Sequence, residues 1–88
     1  MIRNPQFIMR KVADKYVIVP VEEAAVLYHG ILSVNTTGAE IWDLLTQPQT
    51  EDTLTDALVA KYEVAREIAQ ADVRHFLTKL RKVGAIRE

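Results

Sequence analysis

The stretch GILSVNTTGAEIWDLL, residues 30–45, decides the fold because it joins a short β-strand directly to a helix. Its first five residues have the composition of a strand, and three helix-capping side chains, Asn, Thr and Thr, follow at once. Apolar residues then recur at helical spacing from Ile41 to Leu45. Thr37 and Glu40 fit a capping box, in which each side chain satisfies a free backbone N–H at the helix start. We therefore expect a tight turn that fixes the angle between a sheet and a helical layer.

The composition describes one small folded domain over residues 1–88. Hydrophobic residues make up 49% and charged residues 26%, as in an ordinary globular protein. The formal net charge is −1 and the pI is about 6.1, whereas domains that bind nucleic acid through bulk charge commonly have a pI above about 9. The sequence has no cysteine, which excludes disulfides, thiolate metal ligands and cysteine nucleophiles.

The first residues do not resemble a targeting segment. The sequence MIRNPQ lacks the apolar centre of a signal peptide. No run approaches the roughly 18 apolar residues that read as a membrane span. We therefore expect a cytoplasmic protein without a membrane partner.

Three strands followed by three helices are predicted along the chain, which indicates an α+β fold. β-Branched and aromatic residues favour the strands, and capping residues with helical periodicity favour the helices. Segment 22–29 is either one irregular helical turn or a loose connection, with Leu27 and Tyr28 expected to pack under the sheet. The strands are expected over residues 7–12, 16–21 and 30–34. The helices are expected over Thr37–Leu45, from a Thr50 cap to about Glu63, and over Arg66–Val83 before a C-capping Gly84.

Catalytic and metal-binding patterns are absent from the sequence. His29 and His75 lie far apart, and neither has a spacing such as His-x-x-x-His that holds a metal ion. The chain has no Walker loop, no Gly-x-Gly-x-x-Gly and no Gly-x-Ser-x-Gly, and three glycines cannot build a phosphate cradle. We therefore expect a protein that is not an enzyme and that uses no cofactor and no metal ion.

The last predicted helix carries a second stripe beside its apolar face. Ile68, Asp72, His75 and Lys79 are spaced by four, three and four residues, so they share one side of the helix. A stripe of this mixed character is usually a solvated flank. Beside an unpaired strand edge, it can instead line a groove.

Three function classes fit these elements. The last two helices with a β-wing resemble a DNA-binding winged helix-turn-helix, although acidic Glu67 and Asp72 share the last helix with its basic residues. A free edge on the third strand instead suits peptide binding by β-augmentation. A structural subunit without a ligand site is the third class. The basic residues available for phosphate contacts are Arg66, Arg74, Lys79, Arg81 and Lys82.

Three segments carry a resemblance to a known family through their order and spacing. They are GILSVNTTGAEIWDLL, TEDTLTDALVAKYEV and ADVRHFLTKLRKVGAI, and the match spans about residues 16–86. The residues that carry it are Val34–Ala39, Ile41, Trp42, Tyr62, Asp72, Val73, Phe76, Leu77, Leu80 and Gly84. On these motifs the chain is similar to the PqqD family, the pyrroloquinoline quinone biosynthesis protein D-like proteins, also called RiPP recognition elements.

The resemblance implies a winged helix-turn-helix-like fold of three antiparallel strands and three helices. Such domains bind the leader segment of a ribosomally made precursor peptide and present it to a modifying enzyme, often a radical S-adenosylmethionine (radical SAM) protein. The leader is added as a fourth strand beside the third strand, in the cleft that faces the last helix. Carried onto this chain, the expected peptide-binding residues are Gly30, Ile31, Leu32, Ser33, Val34, Asp72, His75, Phe76 and Lys79.

The resemblance leaves several points open. The family pattern fixes Asp72 and Phe76, whereas helical geometry places His75 and Lys79 beside them. Segment 22–29 is longer than in the shortest family members. Nothing resembles the precursor system of the quinone cofactor in particular, so the peptide class is open. An unpaired edge strand can equally pair with a second copy, so a homodimer is also open.

Overall fold

A three-stranded antiparallel sheet packed against three helices forms the body of the protein, as the sequence predicts. The computed structural model describes residues 1–27 and 30–88. The elements in chain order are β1 (Ile2–Arg3), β2 (Phe7–Val12), β3 (Lys15–Pro20), α1 (Glu23–Leu27), β4 (Leu32–Val34), α2 (Thr36–Leu44), α3 (Glu51–Tyr62), α4 (Arg66–Val83) and β5 (Ile86–Arg87).

The sheet has the strand order β2-β3-β4, so β3 is central and β4 forms one edge. β2 and β3 pair along their whole length, and β3 pairs with β4 in a register that sets Ile18 opposite Leu32. β4 begins at Leu32, two residues later than predicted. The reason is that Gly30 has a φ of +98°, which is outside the extended region and accessible mainly to glycine.

α2 begins one residue earlier than predicted. Asn35 is its N-cap, and the Asn35 side-chain oxygen accepts a hydrogen bond from the backbone N–H of Gly38 at 2.8 Å. The predicted capping box of Thr37 and Glu40 is therefore wrong. Glu40 instead forms an ion pair of 2.7 Å with Lys61 of α3, and the hydrogen bond raises the pKa of Lys61. Glu40 thus joins two helices rather than closing the start of one.

The ends of α3 and α4 follow the predicted caps. The Thr50 hydroxyl accepts a hydrogen bond from the Thr53 N–H at 3.1 Å, and the Thr53 hydroxyl accepts one from the Thr50 N–H at 2.9 Å. Glu63 follows α3 as its C-cap and has a left-handed conformation. Gly84 closes α4 with a φ of +76°.

Segment 22–29 is partly helical. α1 is anchored through the buried Ala24. The expectation that Leu27 packs under the sheet is wrong, because its side chain is 72% exposed. The five-residue helix buries only Ala24, and the apolar residues that follow face outward. Tyr28 and His29 lie outside the described residues.

The structure contains a second sheet, of two strands, that the sequence did not predict. β1 and β5 are antiparallel, with Ile2 opposite Arg87. Asn4 reinforces the pair, because its side-chain amide donates a hydrogen bond to the Gly84 carbonyl at 3.0 Å. The beginning and the end of the described chain are therefore fastened together.

The core lies between the inner face of the sheet and the helices. Trp42 of α2 is almost fully buried, and the Arg3 guanidinium lies 5.4 Å from the centre of its ring. Thr55 is also fully buried, and its hydroxyl donates to the Glu51 carbonyl at 2.8 Å. The buried residues of α4 are Ala69, Val73, Phe76, Leu77 and Leu80; together with the partly buried Val83 they form the apolar arc of α4, which is the apolar face expected from the sequence.

Candidate functional site

The sheet has two edges, and they differ in charge. β2 carries Arg10 and Lys11, both exposed, and charged side chains on an edge discourage pairing with another strand. Residues 30–34, which lead into and form β4, carry no charge. Over residues 1–27 and 30–88, β4 is paired on the β3 side alone, so alternate backbone N–H and C=O groups on its other side face away from the sheet. β4 is therefore the edge open to a further strand.

α4 lies alongside the end of β4 and forms a cleft with it. The cleft contains a cavity of about 80 Å³. It brings together all four of the predicted wall residues on α4 with two of the predicted edge residues. The lining residues are Ser33, Val34, Asn35, Thr37, Gly38, Ile41, Asp72, His75, Phe76 and Lys79.

A second cavity of about 120 Å³ lies at the start of β4. Its lining contains the other three predicted residues, so the predicted site is divided between two cavities. The sequence analysis did not predict the other residues that line this cavity. Val83 could have been predicted, because it follows Lys79 by one helical turn and lies in the apolar arc of α4. The lining residues are Phe7, Ile18, Pro20, Gly30, Ile31, Leu32 and Val83.

Gly38 brings the parts of the cleft together. It is buried in the first turn of α2, next to the side chains of Val34 on β4 and Phe76 on α4. The cap at Asn35 starts the helix at this point, directly after the strand. The local sequence Val-Asn-Thr-Thr-Gly therefore places the end of β4, the start of α2 and the middle of α4 around one cavity.

The charged residues of α4 divide into paired and unpaired groups. Asp72 and Lys79, which line the cleft, have no ion-pair partner in the part of the chain that the structure describes. The arginines of α4 are held by carboxylates of α3 or of the segment after α4. These pairs are Arg66 with Asp52 and Asp56, Arg74 with Glu51, and Arg81 with Glu88. The cleft thus has one anion and one cation available to a ligand.

A wider hollow of about 540 Å³ lies between β1 and the start of β2. It contains none of the predicted site residues, and its charged groups are two arginines. Its lining residues are Ile2, Arg3, Pro5, Phe7, Ile8, Thr46 and Arg87.

The described residues form neither a metal cluster nor a membrane span. No group of three or more His, Asp or Glu side chains among them is placed to hold a metal ion. None of their helices has both the length and the apolar character of a membrane span.

Comparison with known proteins gives one family and two similar structures. The family model for Coenzyme PQQ synthesis protein D (PqqD) matches residues 11–86. TbiB1 in complex with the TbiA(beta) leader peptide is 22% identical with a TM-score of 0.73, over 97% of this chain and 93% of that chain. Lasso peptide synthetase B1 complexed with the leader peptide is 20% identical with a TM-score of 0.72, over 98% of this chain and 95% of that chain. At these identities the likeness establishes a shared fold. None of the curated proteins matches the chain in sequence.

Proposed function

The chain belongs to the PqqD family, and we propose that it captures the leader segment of a ribosomally made precursor peptide as an added strand on β4. The observation that carries this proposal is the uncharged edge of β4, which lies beside α4 with a cavity at each end. Two proteins of the same fold are complexed with leader peptides, which supports the same class of ligand here.

Strand addition explains how one domain can hold a flexible peptide. Main-chain hydrogen bonds along β4 supply affinity with little demand on sequence, and pockets for alternate side chains supply specificity. Ordering a free peptide costs conformational entropy, so apolar side chains must enter the groove to offset that cost. Phe76 and Val83 offer the apolar surface for this on α4.

The sizes of the cavities favour a peptide over a small-molecule substrate. Small-molecule sites commonly measure about 300–1,000 Å³, whereas the two cavities beside β4 measure about 80 and 120 Å³. Each suits one side chain of an extended peptide. On this proposal the domain acts as a peptide chaperone rather than an enzyme. A separate modifying enzyme of the radical S-adenosylmethionine class acts on the presented precursor in the cytoplasm, where the precursor is made.

A second copy of the chain is a competing partner for the same edge. If two copies pair through β4, the leader and the second copy exclude each other. Addition of leader is then expected to convert dimer to monomer, which size-exclusion chromatography with light scattering detects. A dimer that persists with leader bound would assign the contact between copies to another surface.

DNA binding is not favoured as an alternative. Of the five basic residues available for phosphate contacts, three are held in ion pairs with carboxylates. Over residues 1–27 and 30–88, only Lys79 and Lys82 of these five have no ion-pair partner, whereas a DNA-binding protein can make about 6–10 phosphate contacts. The overall charge of −1 also gives no attraction to a polyanion.

The test is an NMR titration of ¹⁵N-labelled protein with the leader encoded by the nearest precursor gene. We expect the amide resonances of residues 30–34 and of α4 from Asp72 to Val83 to shift. Shifts confined to α3 and the β2–β3 hairpin would exclude strand addition on β4. A duplex DNA titrated in parallel serves as the control, and we expect no shifts from it at physiological ionic strength.

A further inference from the structure

The groove between β4 and α4 has two cavities of different chemistry, which follow each other along one strand. Leu32 lines the first cavity and Val34 lines the second. The first has no charged residue in its lining. The second is lined by Asp72, His75 and Lys79 in addition to apolar groups. A ligand that spans the groove therefore meets an apolar environment and then a charged one.

The spacing of the two cavities matches a step of two residues along a strand. Side chains two residues apart lie on one face of a strand, about 6.6 Å apart at a rise of about 3.3 Å per residue. Leu32 and Val34 are such a pair, and Val34 is buried toward the core. A peptide strand beside β4 has the same repeat whichever way it runs. Two of its side chains, one residue between them, therefore reach the two cavities together.

Among the charged residues that line the second cavity, Lys79 lies nearest along α4 to Val83 of the apolar cavity. It precedes Val83 by four residues, which is about 6 Å of helix, and Asp72 lies about 10.5 Å farther away. That 6 Å step corresponds to two residues of an extended peptide. Lys79 has no ion-pair partner over residues 1–27 and 30–88, so its ammonium group is available to a carboxylate.

The other groups around Lys79 in the second cavity also favour a single negative group. The first turn of α2 contributes Thr37 and Gly38 to its lining, and the positive end of a helix dipole favours an anion there. Asp72 stands at the far end and repels a second acid. With about 80 Å³ of space, the cavity admits one side chain.

We infer that the bound peptide carries an apolar side chain and an acidic side chain two residues apart, the first for the cavity at Leu32 and the second for Lys79. This inference rests on the proposed function. If the peptide runs parallel to β4, the apolar residue comes first in its sequence. If it runs antiparallel, the acidic residue comes first. The apolar group supplies affinity, and the acidic group supplies selectivity and a faster encounter.

The inference is tested with short threonine-rich host peptides, chosen because threonine favours an extended strand. One pair of peptides holds Leu and Glu two residues apart, in either order. The comparison peptides hold Leu and Glu adjacent, Leu and Lys two apart, or Ser in place of Leu. Binding is measured from the amide shifts of residues 32–34 and Lys79 in NMR titrations, which also quantify weak affinities.

We expect one order of the two-apart pair to bind best. Replacement of Leu by Ser should weaken binding about tenfold or more, because an apolar side chain no longer enters the first cavity. Replacement of Glu by Lys should weaken binding about two- to fivefold, the range of a partly exposed ion pair. In the adjacent pair the two side chains point to opposite faces, so it should lose one of these contacts.

Charge reversal on the protein supplies the second readout. Lys79→Glu should reverse the preference, so that the peptide with Leu and Lys two apart becomes the better ligand. Lys82→Glu is the matched control, because it makes the same change of charge at an exposed residue outside both cavities. It should leave the preference unchanged.

The outcomes separate the inference from the proposed function. A preference for the two-apart pair that Lys79→Glu reverses supports the inference. Equal binding of all the host peptides, or no reversal, overturns it. The inference is also overturned if the natural leader shifts residues 32–34 while the host peptides do not bind. If neither the leader nor any host peptide binds, the proposed function and the inference both fail.

Discussion

A Cβ atom on Gly38 would lie 3.0 Å from Cε1 of Phe76, so α2 and α4 approach as closely as they do because residue 38 has no side chain. The same atom would lie 2.8 Å from Cγ1 of Val34. One glycine therefore controls the distances among the strand edge, the start of α2 and the aromatic residue of the groove wall. The shape of the cleft therefore depends on this contact as well as on the residues that line it.

Gly38→Ala is expected to destabilise the protein and to change the groove. Overpacking of this kind typically costs about 1–3 kcal/mol, and the better helix propensity of alanine returns up to about 1 kcal/mol. With about 2 kcal/mol, the middle of that range, as the cost of overpacking, urea denaturation should show a net loss of about 1–2 kcal/mol, together with weaker leader binding. Thr36→Ala, at an exposed position in the same turn, is the control and should stay within about 0.5 kcal/mol. A neutral or stabilising effect of Gly38→Ala would show that Val34 and Phe76 can move aside.

Asn35→Ala should remove the cap of α2. The loss of its hydrogen bond to the Gly38 N–H is expected to lower the free energy of unfolding by about 1 kcal/mol, within a range of 0.5–2 kcal/mol. Asn35→Asp should retain nearly full stability, since aspartate caps a helix as well as asparagine. Thr37→Ala is the comparison that decides between the two candidate caps. A larger loss of unfolding free energy for Thr37→Ala than for Asn35→Ala would indicate that the helix starts at Thr37, as the sequence predicted.

Gly30→Ala is expected to destabilise the protein although there is space for the methyl group. A Cβ on Gly30 meets no atom of the described chain within 4 Å, so packing does not oppose the change. Backbone strain opposes the change instead, because a φ of +98° is unfavourable for alanine. Such strain costs about 1–3 kcal/mol. Thermal unfolding should give a smaller loss for Gly30→Asn, since asparagine tolerates positive φ better. Equal losses for the two variants would argue against backbone strain as the cause.

Backbone substitution in the leader tests strand addition directly. Replacing successive amides of the leader with esters removes one N–H donor at a time. In an added strand, alternate residues donate to β4, so binding should weaken at every second position. Each affected position should lose about 0.5–1.5 kcal/mol, the usual net value of a hydrogen bond. A uniform effect along the leader, measured by isothermal titration calorimetry, would exclude pairing with a strand edge.

Salt dependence separates peptide binding from DNA binding. With Lys79 as the main free cation of the cleft, leader affinity should fall less than about tenfold between about 50 and 200 mM salt. A protein that makes 6–10 phosphate contacts loses about 10³–10⁵ in affinity over that range. Fluorescence anisotropy with labelled leader and labelled duplex DNA at both salt concentrations checks this. Submicromolar, steeply salt-dependent binding of the duplex would restore the DNA-binding alternative.

Local patterns in the sequence were sufficient for α3, for α4 and for the α4 wall of the candidate cleft. The apolar arc of α4 and the stripe through Asp72, His75 and Lys79 follow from helical periodicity, which depends on near neighbours alone. Thr50 and Gly84 mark the ends of their helices for the same reason. The start of α2 was harder, because three consecutive residues can each cap a helix. Asn35 takes this role since it continues the extended backbone of β4, with φ −81° and ψ 178°.

Contacts between distant parts of the chain could not be predicted from the sequence. The β1–β5 pair consists of two strands of two residues each, too short to leave a pattern. The cavity at Leu32 combines side chains from β2, β3 and the last turn of α4, and no spacing in the sequence relates them. Of the residues that line the two cavities beside β4, those on α4 were therefore all predicted except Val83, whereas those on β2 and β3 were not predicted.

The pairing of β1 with β5 makes the domain a closed unit that the chain enters and leaves at one place. Ile2 and Arg87 are neighbours across two strands, although nearly the whole sequence lies between them. Strands paired in this way are about 4.7–4.9 Å apart. The unit can therefore be spliced into a surface loop of an unrelated protein without forcing the ends of that loop apart. On the proposed function, such an insertion into a modifying enzyme would tether the groove between β4 and α4 to that enzyme.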